Sequence, residues 1–477
     1  MKNIPILVIL FLSSCFSLVS AQETWSLERC IRHALDNSLL IRSAMLSEEL
    51  AQVNLNQSRQ QRFPSLNANA GAGLNFGRVI NPATNDFETE NSLFSNIGAS
   101  SGVMLYQGGF INHNIRQAGF EADAAHEDLR QTQSDLALQV ALSYLSVLFA
   151  TENLQNAQAT LALTQQQLDQ IEKMIAAGTI PASDRYDILA QIALDEQSIV
   201  QYQNDEETNL LGLKHLLLLD PGYDLRLDRP VVSIDGMEAF ETYKLEAVYS
   251  AALASQPQIK AQDLRMRSAE LDESIARSGY LPRLSLSGSI GTNYSDLDKT
   301  ILGVQTTRVP TPGVYINGEQ VLFEVDTDFP TGLETTPVFD QFDNNLGYGI
   351  SVGLSIPIYN NHATRAAVSR AKIGISQQQV ASEQVRQTLK SDIQNALAAA
   401  RAAREALDAS ERAFEAAEIA YQNAERRFAL GAINNYDFIS ARNRLDAARI
   451  NQTIAKYDYL FRAKVIEYYL GRGLKLN

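Results

Sequence analysis

The sequence repeats itself, and no other property narrows the possible folds as much. At a constant offset of 218 residues, Leu27-Glu28 matches Leu245-Glu246, Ala34 matches Ala252, Ile41 matches Ile259, Leu46 matches Leu264, Pro64 matches Pro282, Leu66 matches Leu284 and Asn75 matches Asn293, without a gap. Further along the offset is 253, with Tyr106 on Tyr359, Ala118 on Ala371 and Gly178 on Gly431, so the second copy carries 35 extra residues between the two matched stretches. A chain made of two copies of one unit must fold both copies by the same rules, and neighbouring copies bury each other's apolar faces. We place the first copy at residues 22–225, a linker at 226–243 and the second copy at 244–477.

Both halves give the same signals in the same order. A short amphipathic helix, from Ser26 to Leu35 or from Lys244 to Leu253, leads into a second helix that stops before Phe63-Pro64 or Leu281-Pro282, because the residue before proline is pushed out of the helical region. An alternating segment starts at once. From Leu66 the even positions are Leu66, Ala68, Ala70, Ala72, Leu74 and Phe76, and the odd ones are Asn67, Asn69, Gly71, Gly73 and Asn75. The copy sets Leu284, Leu286, Ile290 and Tyr294 against Ser285, Ser287, Ser289 and Asn293. Each half has a second such strand, from Ile97 to Tyr106 and from Leu346 to Ile358. Period two with one apolar face and one small, uncharged polar face fits a transmembrane β-barrel, and also fits a soluble sandwich whose apolar face is a core.

After the strands come the longest helical signals. From Phe120 to Ala177 and from Ile375 to Leu430 there is neither Gly nor Pro, which gives rods about 90 Å long at about 1.5 Å per residue. Val140, Val147, Leu154, Leu161, Leu168 and Ile175 recur every seven residues, as do Ile393, Ala400, Leu407, Phe414, Tyr421 and Phe428 in the copy. Three places on from the seam the residues are small: Ser143, Ala150 and Ala157, then Ala396, Ala403, Ser410, Ala417 and Ala424. A free dimeric coiled coil favours leucine there, so the spacing predicts a laterally packed wall of helices. Each rod ends at a glycine, Gly178 or Gly431, and returns as a helix from Asp184 to Leu219 or from Tyr436 to Leu470.

The ends and the charges exclude other classes. Residues 1–21 read as a secretory leader, with Lys2, an apolar run from Ile4 to Val19, and Ser20-Ala21 before the cut. Leu12-Ser13-Ser14-Cys15 also fits a lipobox, in which Cys15 carries lipid, and both readings stay open. Beyond the leader Cys30 is the sole cysteine, expected as a buried thiol on the first helix, so a disulfide framework and a cysteine metal cluster are excluded. No later segment has 18 consecutive apolar residues, so a membrane-embedded part must be β. With 40 basic and 55 acidic residues, a net charge of −15, nucleic acid is not the expected partner. His33, His113, His126, His215 and His362 lack ligand spacing, and no nucleophile motif or phosphate loop occurs. We therefore expect no enzyme, no cofactor and no metal. Four strands cannot close a barrel, and open edges are not tolerated in lipid, so the oligomer must supply the rest. Two chains or three satisfy that requirement equally.

In this order, twice, the Phe63-Pro64-Ser65-Leu66 and Leu281-Pro282-Arg283-Leu284 junctions, the Tyr106-Gln107-Gly108-Gly109 and Tyr359-Asn360-Asn361 strand exits, and the Gly178 and Gly431 tips resemble the TolC family of outer-membrane efflux and secretion ducts. The resemblance covers nearly all of the chain after the leader. It implies a mainly α fold with transmembrane β: long antiparallel helical hairpins forming an α-barrel in the periplasm, and four strands per chain in a trimeric, twelve-stranded outer-membrane barrel. It also implies a passive conduit embedded in outer-membrane lipid that docks on a periplasmic adaptor and, through it, an inner-membrane pump. Docking would fall on Gly178, Thr179, Ile180, Gly431, Ala432 and Ile433. A periplasmic gate of aspartates beyond the second tip would place Asp437 at its first position and Ser440, not an acid, at the next. Asp184 and Asp187 lie on the equivalent helix of the first half, after a loop two residues longer; as helix-start residues they, like Asp437, are also expected on local grounds. A second departure is the segment from Ser295 to Asn345, read as a 51-residue outer loop, where Arg78 to Ser95 has 18. A non-conducting surface protein that uses its helices as a stalk is the rival reading; it predicts no conductance.

Overall fold

The computed structural model describes residues 24–80, 87–228 and 239–472. The leader with Cys15, and most of the linker, fall outside the described residues. The chain folds as a helical unit, Met1–Leu50, Ala122–Arg265 and Gln378–Asn477, and a sheet unit, Ala51–Glu121 and Met266–Gln377.

In the helical unit the repeat is a repeat of core positions. Helix α1, Leu27–Asn37, is capped by Ser26, whose side chain accepts from Arg29 N–H, and it ends where Ser38 turns extended. Helix α2, Leu39–Gln60, follows. In the second copy α5, Leu245–Ser255, ends at extended Gln256, and Pro257 opens α6, Pro257–Arg277, where its missing N–H costs nothing. Leu27, Ala34 and Ile41 are buried in one cluster, and Ala252 and Ile259 in another, with Leu245 packed against it. The rods are α3, Phe110–Ala176, and α8, Ala363–Ala429, 67 residues each, starting nearer the strands than the Gly- and Pro-free runs alone indicate. Gly119 and Gly374 are carried inside them. The returning helices are α4, Asp184–Leu216, and α9, Asn435–Tyr469. Val140, Val147 and Leu154 of the seam are buried, as are Ile393, Ala400 and Leu407. Cys30 is buried as expected, and burial pushes its thiol up to about 12, which removes the reactive thiolate at neutral pH.

The sheet unit holds a four-stranded antiparallel sheet of β1, Ser65–Ile80, β2, Phe87–Gln107, β3, Arg283–Ser295, and β8, Gly347–Ser355, in the order β1-β2-β3-β8. The register aligns one apolar face across all four strands. Ala68 pairs with Ala99, Ala99 with Ile290 and Ile290 with Tyr348; further along, Val103 pairs with Leu286 and Leu286 with Val352. A bulge between Met104 and Tyr106 brings Tyr106 opposite Leu284, keeping it on that face. The opposite face runs Asn67-Ser100-Ser289-Gly349 and Ser65-Gly102-Ser287-Ser351, with the Ser287 and Ser351 hydroxyls 2.8 Å apart. Both faces are open: Tyr348 is 86% and Ile350 84% exposed, and Leu66, Leu74 and Phe76 are exposed as well. Among the described residues nothing covers the apolar face, which a sandwich core requires.

Two expectations need correction. β2 is 21 residues long, so most of the segment from Arg78 to Ser95 is strand and not loop. The 51-residue segment is folded too: β4, Lys299–Ile301, pairs with β7, Leu333–Thr335; β5, Val304–Ile316, pairs with β6, Glu319–Pro330; and α7, Val338–Asn344, follows. The described residues thus hold four strands in the main sheet and four more in ribbons. The prolines that argue against strand are tolerated because a two-stranded ribbon is all edge, and Pro312 and Gly313 fall where its register breaks, between Thr311 and Val314. Asn317-Gly318, both at positive φ, close the hairpin. Buried Gln341 of α7 ties the insertion down: its amide donates to the Ser295 and Thr336 carbonyls, and its oxygen accepts from Ser295 N–H at 2.9 Å.

Candidate functional site

Both rods end in the same left-handed turn. Gly178 has φ +73° and Gly431 φ +67°. Thr179 N–H donates to the Met174 carbonyl and Gly178 N–H to that of Ile175, and Ala432 and Gly431 do the same to Arg427 and Phe428, all at 2.8–3.0 Å. This Schellman arrangement satisfies carbonyls at the helix ends and needs a residue that enters the left-handed region without penalty.

The two tips lie together. One apolar cluster of Ile171, Ile188, Phe428 and Phe438 joins them, with Phe428 and Phe438 stacked at 4.7 Å between ring centroids. Ile180 and Ile433, expected as docking residues, are half-buried and pack on this cluster, so their burial also anchors the turns. Between the tips runs a groove lined by Thr179, Ile180, Asp184, Gly431, Ala432 and Ile433, among others. Residues expected separately from the two halves thus face one groove, while Gly178, Asp187, Asp437 and Ser440 are not part of its lining.

The gate candidates divide. Asp437 is in the first turn of α9, its N–H donating to the Asn434 cap at 2.8 Å, and its carboxylate is exposed and makes no hydrogen bond or ion pair among the described residues. Ser440, half-buried, accepts from Arg444 at 3.4 Å. Asp187 is exposed on α4, and Asp184 accepts from the Ser183 hydroxyl at 3.3 Å while its carbonyl accepts from the Asn435 amide. Asp184, Asp187 and Asp437 all occupy helix N-termini, where the helix dipole favours an acid.

Sequence reasoning missed the layer below. Arg442 of α9, 3% exposed, reaches into the first hairpin. Its guanidinium donates to Gln167 Oε1 at 2.8 Å, to the Thr160 carbonyl at 3.1 Å and to the Thr164 hydroxyl, and it pairs with Asp195 of α4 at 3.2 Å. On its own helix it faces Asp446 at 3.5 Å. Asp195 in turn accepts from Gln191 at 2.8 Å. Burial pushes the Asp446 carboxyl above the usual carboxylate range, against the pull of Arg442 and Arg449. One side chain thus connects α3, α4 and α9. The signal is present in the sequence: Phe438, Arg442 and Leu445 stand at i, i+4 and i+7, so an arginine occupies the buried stripe of an amphipathic helix.

The family model for outer membrane efflux proteins matches residues 30–217 and 248–472. The outer membrane protein TolC of Vibrio cholerae is 24% identical over 482 residues, 98% of this chain and 95% of that protein. TolC of Salmonella enteritidis is 24% identical over 189 residues, 39% of this chain, and the match spans 38% of that protein's length. A crystal structure of CusC superposes with a TM-score of 0.75 at 20% identity, covering 94% of this chain and 92% of that one, which shows a common fold. Since the family match takes in both copies and most of the sequence, the chain belongs to the outer membrane efflux protein family.

Proposed function

We propose that three copies of this chain form one passive duct from the periplasm to the exterior, and that the duct performs no chemistry of its own. One observation carries this reading: the four-stranded sheet has unpaired edges at β1 and β8 and an uncovered apolar face among the described residues. In water such a sheet is an aggregation hazard; in lipid it is forbidden unless closed. Three copies pairing β8 of one with β1 of the next give twelve strands with the apolar face toward lipid and the Ser, Gly and Asn face toward a water-filled lumen. Relatives in three organisms bear the name outer membrane protein TolC, which fits this placement.

The helical hairpins form the periplasmic part. Their tips, through Thr179, Ile180, Ala432 and Ile433 around the shared groove, dock on a periplasmic adaptor that couples the duct to an inner-membrane pump. Asp437 is the gate acid we favour, because its carboxylate is exposed and uncommitted, unlike that of Asp184. The experiment is reconstitution of the purified protein in a planar bilayer with its mass measured in detergent. Discrete conductance steps from a particle of three chains are expected; a water-soluble monomer, or a trimer that never conducts, overturns the reading.

A further inference from the structure

The duct reading leaves unused a cavity in the helical unit, and we propose that it is a binding site for a small acidic peptide. The cavity, of about 710 Å³, is walled by α1, α3, the junction of α5 with α6, and the end of α9, a size suited to a ligand of a few residues. Arg32, Arg130, Lys260 and Arg472 line it with one acid, Glu28. In a chain of net charge −15 this is a local reversal of sign. Arg130 is held by Glu127 at 3.0 Å, whereas Arg32 and Lys260 make no ion pair or side-chain hydrogen bond among the described residues. Cations that converge on a concave site draw in an anion and hold its carboxylate.

The wall also fixes what else the ligand must carry. Gln256, 3% exposed, donates its amide N–H to the Tyr468 carbonyl at 2.9 Å, and its Oε1 has no partner among the described residues. The adjacent Ser255 hydroxyl is buried and likewise unpartnered. A buried acceptor left unpaired costs free energy, and a ligand N–H satisfies it, which a carboxylate alone cannot do. Ile31, Leu35, Ala137 and Pro257 supply the apolar contact. A carboxylate, an amide N–H and a short apolar body together describe an acidic peptide and not inorganic phosphate.

The test is calorimetric titration of the full-length protein in detergent with N-acetyl-alanyl-glutamate, with N-acetyl-alanyl-glutamine and inorganic phosphate as comparison probes. The acidic dipeptide is expected to bind at least tenfold more tightly than either. The substitution Arg32→Glu, alone or with Lys260→Glu, is expected to weaken it more than tenfold, while Glu28→Gln tightens it severalfold, an opposite sign that a misfolded variant does not produce. Gln256→Leu, which removes the acceptor for the ligand N–H, is expected to weaken binding more than tenfold. Equal binding of phosphate, equal binding of the glutamine dipeptide, which keeps its terminal carboxylate but lacks the side-chain one, or indifference to Arg32→Glu overturns the proposal. So does binding seen only after deletion of residues 473–477, which would give the cavity to the chain's own end.

Discussion

The perturbation that tests the site most directly is Arg442→Leu. The leucine fits a buried helix stripe, so helix propensity and apolar packing are retained. What is lost is the cation that serves Asp195, Gln167, Thr164 and the Thr160 carbonyl at once. Asp195 then remains buried as an uncompensated charge, and removing one partner of a buried pair costs about 3–5 kcal/mol. At about 1.4 kcal/mol per tenfold that is roughly 10²–10⁴ in a local opening equilibrium. Amide hydrogen exchange on the segments around Thr164, Asp195 and Arg442 reads it directly, because protection there reports opening of the packed helices. Arg442→Leu combined with Asp195→Leu should regain most of the loss, since replacing both members of a buried pair by apolar residues is often neutral or stabilising. Exchange accelerated less than about fivefold in the single variant, or a double variant no better than the single, would refute the claim that this arginine clamps the two hairpins.

Three further outcomes are expected. Gly178→Val and Gly431→Val force a β-branched residue into the left-handed region, about 1–2 kcal/mol or more at each turn; helix ends should fray in exchange experiments and efflux should fall in cells, while the oligomer persists in detergent, and unchanged efflux would count against docking at the tips. Gln341→Leu strips three hydrogen bonds from a buried amide and takes that partner from the Ser295 N–H and the Thr336 carbonyl, so limited proteolysis should cut within residues 296–346 while the β-sheet circular dichroism signal stays. Asp446 supplies a pH dependence whose sign is fixed by its raised folded value: the folded state binds the proton more tightly than the unfolded one, so its own contribution to stability is fully present at low pH and is lost as pH rises from the ordinary carboxylate value, 3.8, through the raised one. Asp446→Asn should flatten that part of a stability profile; a slope unchanged by the substitution would assign it elsewhere.

Local chemistry settles a large part of this protein before any fold is visible. Pro64 and Pro282 stop helices, Gly178 and Gly431 end them, and strict alternation from Leu66 and from Leu346 makes strands, because each of these preferences acts within a few residues and needs no partner. The repeat at offsets of 218 and 253 is legible for a related reason: Leu27, Ala34 and Ile41, like Ala252 and Ile259, keep their identity because each faces a core. The insertion reads as loop only while its prolines count as breakers without regard to edges, although Asn317-Gly318 stands in the sequence as a hairpin turn. Other features depend on which helices meet. That Arg442 meets Asp195 across 247 positions, that Ile180 and Ile433 share one apolar cluster, and that Gln256 faces a cavity beside Lys260 are properties of packing between segments distant in the chain. A periodic pattern gives the face a residue occupies; only the tertiary structure gives the neighbour that face finds, and the charge pairing beneath the tips is decided there.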